Sequence, residues 1–177
     1  MSDAEQPRRG TPTEPWTVVN ATEQPWQAAP GWGRFVKFED PDGGRWPQYG
    51  FNIQVLAPGD VSTMYHGEGA QEDFLVLSGT CLAFVEGEEV PLKAWDVLHC
   101  PPWTRHGFAN RGDAPCAVLM IGGRHEGGEY DVEYPYDAAA DRHGASVKAY
   151  TTDGDVAYAG TPEYVVESYK SGTLPGA

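Results

Sequence analysis

Met64-Tyr65-His66-Gly67-Glu68-Gly69-Ala70-Gln71-Glu72-Asp73-Phe74-Leu75-Val76-Leu77-Ser78-Gly79 is the stretch whose reading decides the fold. A small polar loop passes into an apolar run, which predicts a strand, a turn and a second strand. Residues two apart on a strand face the same side, with Cα atoms about 6 to 7 Å apart. His66 and Glu68 therefore share a face, and metal bonds of about 2.0 to 2.2 Å leave their side chains enough reach to meet one ion. Glu72 opens the partner strand. Further on, Asp96-Val97-Leu98-His99-Cys100-Pro101-Pro102-Trp103-Thr104-Arg105-His106-Gly107-Phe108-Ala109-Asn110 predicts two strands around a Pro-Pro corner, with His106 just past it. A lone histidine is more often an ordinary hydrogen-bonded side chain. Four ligand-type residues in strand-forming sequence point instead to a half-buried metal site made by His66, Glu68, Glu72 and His106.

Laid out this way, the arrangement resembles the cupin superfamily. The first cupin motif runs Gly, five residues, His-X-His, three or four residues, Glu, six residues, Gly. Glu72 and Gly79 keep the spacing of six, and three residues separate Glu68 from Glu72. The second motif, Gly, five, Pro-X-Gly, two, His, three, Asn, is met by Pro101, His106 and Asn110, with Trp95 and Trp103 in place of its glycines. Two departures bear on chemistry: Glu68 stands where the family has its second histidine, and one extra residue lies between Gly59 and His66. The resemblance covers residues 50 to 122. It implies an all-β double-stranded β-helix, or jelly-roll barrel, and a homodimer formed through edge strands.

The chain has 177 residues, enough for one domain with its own core, and no composition break marks a second. Its 22 glycines and 15 prolines cut the apolar runs short, a pattern that favours strands over helices. With 26 acidic against 12 basic residues the formal charge is -14, which disfavours nucleic acid and anionic membranes by repulsion. No segment approaches the ~20 apolar residues of a membrane span, and the N-terminus lacks the apolar stretch of a secretion signal. Cys81, Cys100 and Cys116 have no CxxC spacing and read as reduced thiols of a cytoplasmic protein. Cys100 is close enough in sequence to His106 to approach the site, although buried cysteines are usually packing residues.

Residues 1–15 are polar and aperiodic and predict a disordered arm. Residues 16–49 predict a strand extension, with strands at Trp16 to Val19 and at Gly31 to Phe38 and a turn over Glu39 to Pro47. The barrel core is expected over 50–122. Within it Gly50 to Gly59 alternates as a strand with one solvated face should, and Thr80 to Glu86, Val90 to Leu92 and Pro115 to Ile121 supply further strands. The appendage, 123–177, carries a short helix from Asp137 to Gly144 and a helical turn from Asp153 to Ala159. Its aromatic tail with Tyr158, Tyr164 and Tyr169 is suited to pack on the barrel or on a neighbouring subunit. Internal repeats, a glycine-rich phosphate loop, heptads and a Gly-X-Ser-X-Gly elbow are all absent from the sequence.

Glu68 divides the chemistry. Two glutamates and two neutral imidazoles around a divalent cation make a neutral site, a weaker Lewis acid than three histidines with one glutamate. If Glu68 stands aside, His66, Glu72 and His106 form a two-histidine, one-carboxylate face that suits Fe(II) and oxygen, and Glu68 becomes a general base. The alternative for Glu68 is a surface carboxylate between Gly67 and Gly69. Strand periodicity places Met64, Phe74 and Phe108 on the inner face as substrate-contact candidates, with Gln54 from the adjacent strand; core packing is the competing role for all four. His99 and His125 are weak ligand candidates, and His143 is better explained as a cation at a helix C-terminus. Arg105 is the only basic residue beside a ligand in the sequence. The expected function is a metal-dependent enzyme (Fe, Mn, Ni or Zn) acting on a small organic molecule in the barrel, with dioxygenase-type cleavage first. A metal-assisted isomerase or lyase comes second, and a non-catalytic binding protein is the reading from another class.

Overall fold

The computed structural model of the chain describes residues 17–38, 46, 48–124 and 131–176. The expected arm over 1–15, Trp16, most of the 39–47 turn and His125 lie outside them. The strands are β1 (Trp26–Ala28), β2 (Arg34–Phe38), β3 (Tyr49–Leu56), β4 (Gly67–Glu68), β5 (Glu72–Ser78), β6 (Thr80–Val85), β7 (Glu88–Lys93), β8 (Val97–Cys100), β9 (His106–Ala109), β10 (Cys116–Gly123), β11 (Val132–Glu133) and β12 (Val165–Glu167). Two short helices follow the barrel strands, α1 (Ala138–Asp141) and α2 (Gly154–Ala157). Asp137 and Asp153 cap them, each accepting a backbone N–H through its side chain.

Among the described residues the main sheet runs β12-β1-β2-β3-β10-β5-β8, facing a smaller sheet β7-β6-β9, with β4 paired to β11. All the strand pairings are antiparallel. Leu56, Phe74, Val76, Phe108, Val118 and Met120 fill the space between the sheets, because period-two alternation turns the even-numbered positions of β3, β5 and β10 inward. The all-β jelly-roll expectation is met.

Two local expectations fail. Residues 17–20 form no strand: Asn20 caps a single 3-10 turn at Ala21–Glu23, and the first strand starts at Trp26, whose indole N–H donates to the Ala21 carbonyl at 2.9 Å. The outer face of β3 is not solvated either. Phe51, Ile53 and Val55 pack there with Trp26, Val36 and Phe38, under Tyr169 and Leu174 of the C-terminal tail. That tail packs on the barrel through β12 and through Tyr164, whose hydroxyl donates to the Trp32 carbonyl at 3.2 Å.

The glycine positions of the motifs explain themselves through the backbone. Gly79 sits at φ 73°, and a Cβ there would lie 2.5 Å from the Pro115 carbonyl oxygen, so no other residue fits. Trp95 and Trp103, which stand where the second motif has glycine, keep the left-handed conformation at φ 76° and 69°. The turn geometry therefore persists and the tryptophans bear its steric cost, about 1 to 2 kcal/mol for an L-residue. Trp95 is 75% exposed, so its ring contributes little in return. Trp95→Gly is expected to stabilise the protein by about 0.5 to 1 kcal/mol in urea unfolding. A stability loss instead would show that the Trp95 ring packs favourably enough to outweigh the strain.

Candidate metal centre

His66 and His106 face each other across an antiparallel bridge, with His106 N–H donating to the His66 carbonyl at 2.8 Å and the reverse bond at 3.1 Å. The pairing sets their rings side by side, centroids 4.8 Å apart, and both side chains are buried. Glu72, at the start of β5, reaches across so that its Oε2 lies 3.1 Å from His106 Nε2. One ligand atom from each of His66, Glu72 and His106 falls within 4.8 Å of the others.

The outer nitrogens settle the tautomers. His66 Nδ1 lies 2.8 Å from the Met64 carbonyl oxygen and His106 Nδ1 lies 3.0 Å from that of Thr104. A carbonyl can only accept, so each Nδ1 donates its proton outward and leaves Nε2 as the ring nitrogen available to an ion on the side of Glu72. Imidazoles oriented by a backbone carbonyl, beside a carboxylate, form the donor set and supporting shell that a divalent ion requires. The residues present fit such an ion.

Glu68 stands apart from this group. Its Oε1 is 3.6 Å from His66 Nε2, and the carboxylate lies at the edge of the cluster, on β4. Burial pushes its pKa up, but the hydrogen bond and charge of His66, together with the charge of His106, carry it below the usual carboxylate range. At His106 burial disfavours the charged form, and the Glu72 hydrogen bond and charge outweigh it, leaving the pKa above the ordinary imidazole value. In the metal-free protein a proton therefore competes for His106 Nε2, and an incoming ion displaces it.

The four residues open onto a cleft of about 400 Å³. Phe74 and Phe108 line it, their rings 4.8 Å apart, together with Met120, Asn52, Ser62 and Thr63. Gln54 and Met64, read from the sequence as substrate contacts, are not among its lining residues. Gln54 does point inward, but its carboxamide donates to the Trp32 and Ser62 carbonyls, both at 3.2 Å, and ties strand to loop. Residues 62–65 are not extended, so strand parity does not carry from His66 back to Met64, which packs beside Tyr158.

Sequence reasoning missed Lys37 and Arg124. Both line the cleft, brought there from β2 and from just past β10, far in sequence from either motif. The alternation of Gly31 to Phe38 was the available signal, but only the strand register shows what it faces. Arg105 points elsewhere, bound to Glu133 at 2.7 Å. His99 is on the outside, paired with Asp73 at 2.7 Å. Cys100 is buried in the core, its thiol pushed up to about 12 by burial and then by Glu72 and other acidic neighbours, which rules out a ready thiolate. His143, at the end of α1, stacks on Phe84 and meets Glu89 at 3.0 Å. Among the described residues no helix is long and apolar enough to cross a membrane.

Comparison with known proteins agrees with this architecture. Residues 52–122 match the Cupin domain family. The chain is 29% identical over 68 residues to a 5-nitrosalicylic acid 1,2-dioxygenase of Bradyrhizobium sp, covering 38% of this chain and 32% of that one. It is 32% identical over 90 residues to the tetracenomycin polyketide synthase protein TcmJ of Streptomyces glaucescens, covering 48% and 60%. The matches thus span about a third and three fifths of the curated relatives' lengths. Among solved structures, a sugar phosphate isomerase of the cupin superfamily from Silicibacter pomeroyi superposes with a TM-score of 0.52 at 24% identity, over 75% of this chain and 80% of that one, a likeness of fold. Two facing antiparallel sheets, left-handed backbone at the motif's glycine positions and the family match agree: residues 52–122 are similar to the Cupin domain family, and the chain has the cupin fold.

Proposed function

We propose that this protein is a metal-dependent enzyme that acts on a small organic molecule in the barrel cleft, and that its reaction is an oxygen-dependent cleavage. The observation that carries the reading is the convergence of His66 Nε2, His106 Nε2 and the Glu72 carboxylate, with Glu68 outside that group. Two histidines and one carboxylate with open positions suit a non-heme ion, which when bound would supply oxygen activation if redox-active or carbonyl polarisation if not. The dioxygenase name of the Bradyrhizobium relative supports the first of these.

The chain's own residues do the rest. Thr104 and Met64 carbonyls hold the two imidazoles, and Phe74 and Phe108 close the inner side of the cleft against water. Glu68, kept ionised by its histidine neighbours and facing the cleft, is placed to accept a substrate proton. That placement favours the second reading, a metal-assisted isomerase or lyase in which proton transfer is the whole reaction.

Glu68→Gln separates the roles. As a base beside the ion, Glu68 is dispensable for binding it: the variant is expected to keep its metal by elemental analysis and to lose turnover by about 10²- to 10⁴-fold. Loss of the metal as well would make Glu68 a fourth ligand. Oxygen uptake by metal-replete protein on a panel of hydroxylated aromatic acids tests the cleavage reading. Turnover that proceeds equally without oxygen favours the isomerase, and no turnover at full metal occupancy overturns the enzyme reading.

A further inference from the structure

Among the described residues Lys37, Lys93 and Arg111 hold no carboxylate, and of these three Lys37 is the one beside the metal cleft. Arg34, Arg105, Arg142 and Lys148 each hold a carboxylate. Lys37, among the described residues, has no such partner: its ammonium lies 5.5 Å from the centre of the Phe35 ring. It also lines the cleft that holds the metal triad.

Sheet order explains the position. Lys37 pairs with Asn52, Asn52 with Met120, and Met120 with Phe74, so these four share one face across β2, β3, β10 and β5, running from the buried Phe74 and Met120 out to the exposed Lys37. In the next row toward the mouth Gly50 pairs with Gly122 and Gly122 with Glu72. The two glycines leave a side-chain-free trough leading away from Glu72. Arg124 closes its far end, since a Cβ at Gly50 would run into that guanidinium. Between the backbones of β2 and β5 lie three strand spacings, about 14 Å. The long Lys37 side chain shortens that span to the length of a small one-ring molecule.

The polarity of this trough is fixed. At one end are Glu72 and Glu68 with the imidazoles; toward the other are Lys37, with the Asn52 carboxamide as its cross-strand neighbour, and Arg124. Phe74, Phe108 and Met120 form an apolar wall between them. The net charge of -14 repels anions from the surface at large. A local cation is what would make an anionic substrate welcome at this cleft.

Resting on the metal-enzyme reading above, we propose that the substrate is a small apolar-bodied carboxylic acid, and that Lys37 is the residue that selects it. The carboxylate sits at Lys37 and Asn52, the apolar body lies over the glycine trough against Phe74 and Met120, and the reacting end reaches the face formed by His66, Glu72 and His106.

Salicylate and its neutral isostere salicylamide test the assignment by calorimetric titration of the Mn(II)-loaded protein, with metal content measured on the same samples. Wild type is expected to prefer the acid by about tenfold or more. Lys37→Met is expected to bring the two ligands within about twofold, and Lys37→Arg to keep the preference. An equal affinity of wild type for acid and amide overturns the proposal, as does a preference that survives in Lys37→Met, because the carboxylate would then be reading the metal or Arg124. Repeating the titration on chelator-treated protein separates the metal from the two cations, and Lys37→Met separates Lys37 from Arg124. An acid preference that persists there and vanishes in Lys37→Met supports Lys37 even if the metal reading fails, whereas loaded protein without that preference leaves the metal centre standing and removes Lys37.

Discussion

His106→Ala is expected to leave the purified protein essentially free of divalent metal. It should lower affinity by more than the 10- to 100-fold typical of losing a supporting partner, because His106 supplies a donor atom itself. Wild type at a metal concentration 100 times Kd should gain about 2.7 kcal/mol of stability, and the variant almost none. His106 is buried and bonded to both Glu72 and the Thr104 carbonyl, so its removal also strands a carboxylate. Glu72→Gln is therefore the companion variant, since it keeps the shape of the site and removes only the charge. His99→Ala and Cys100→Ala act as controls, the first lying outside the barrel and the second in the core. Elemental analysis decides the matter: full retention of metal by both His106→Ala and Glu72→Gln would remove the proposed centre.

Asn110→Ala should be the most damaging of the motif substitutions for stability, and for a reason unconnected with metal. Asn110 is fully buried. Its amide donates to the Leu56 and Ala114 carbonyls, both at 2.8 Å, and its Oδ1 accepts from Gly112 N–H at 2.9 Å. The side chain thus closes the loop between β9 and β10 and ties it to the end of β3. Truncation leaves three backbone groups without partners, at a cost on the order of 3 kcal/mol. In a chain of this size that corresponds to a fall in Tm of about 6 to 12 °C. Urea unfolding should show a lower midpoint with an unchanged slope, and the folded fraction should retain its metal. A fall in metal content at full folding would mean that Asn110 also supports His106, four residues back at the start of β9.

Much of this was legible in the chain itself. The motif residues occupy the turns and strands expected of them because their constraints are local: Gly79 at a positive φ against the Cys116 backbone, and Glu72, Phe74 and Val76 alternating inward. The tryptophans at 95 and 103 show the same logic in reverse, since the backbone kept the glycine conformation after the glycine was gone. The expected strand at 16–19 failed over its described residues, 17–19, where a capping Asn20 and the Trp26 indole bond made a turn locally preferable. The inward assignment of Met64 failed because periodicity holds only while the chain is extended.

By itself, then, the sequence determined the barrel and the pairing of ligand types on its inner face, since strand parity and turn conformation are properties of neighbouring residues. Only the tertiary structure decided how Glu68 stands to the triad, and that Lys37 and Arg124 belong to the same cleft. Sheet order is the physical reason: β2, β3, β10 and β5 are adjacent in space although their residues span positions 34 to 123, and parity says which face a side chain takes but not which strand lies beside it.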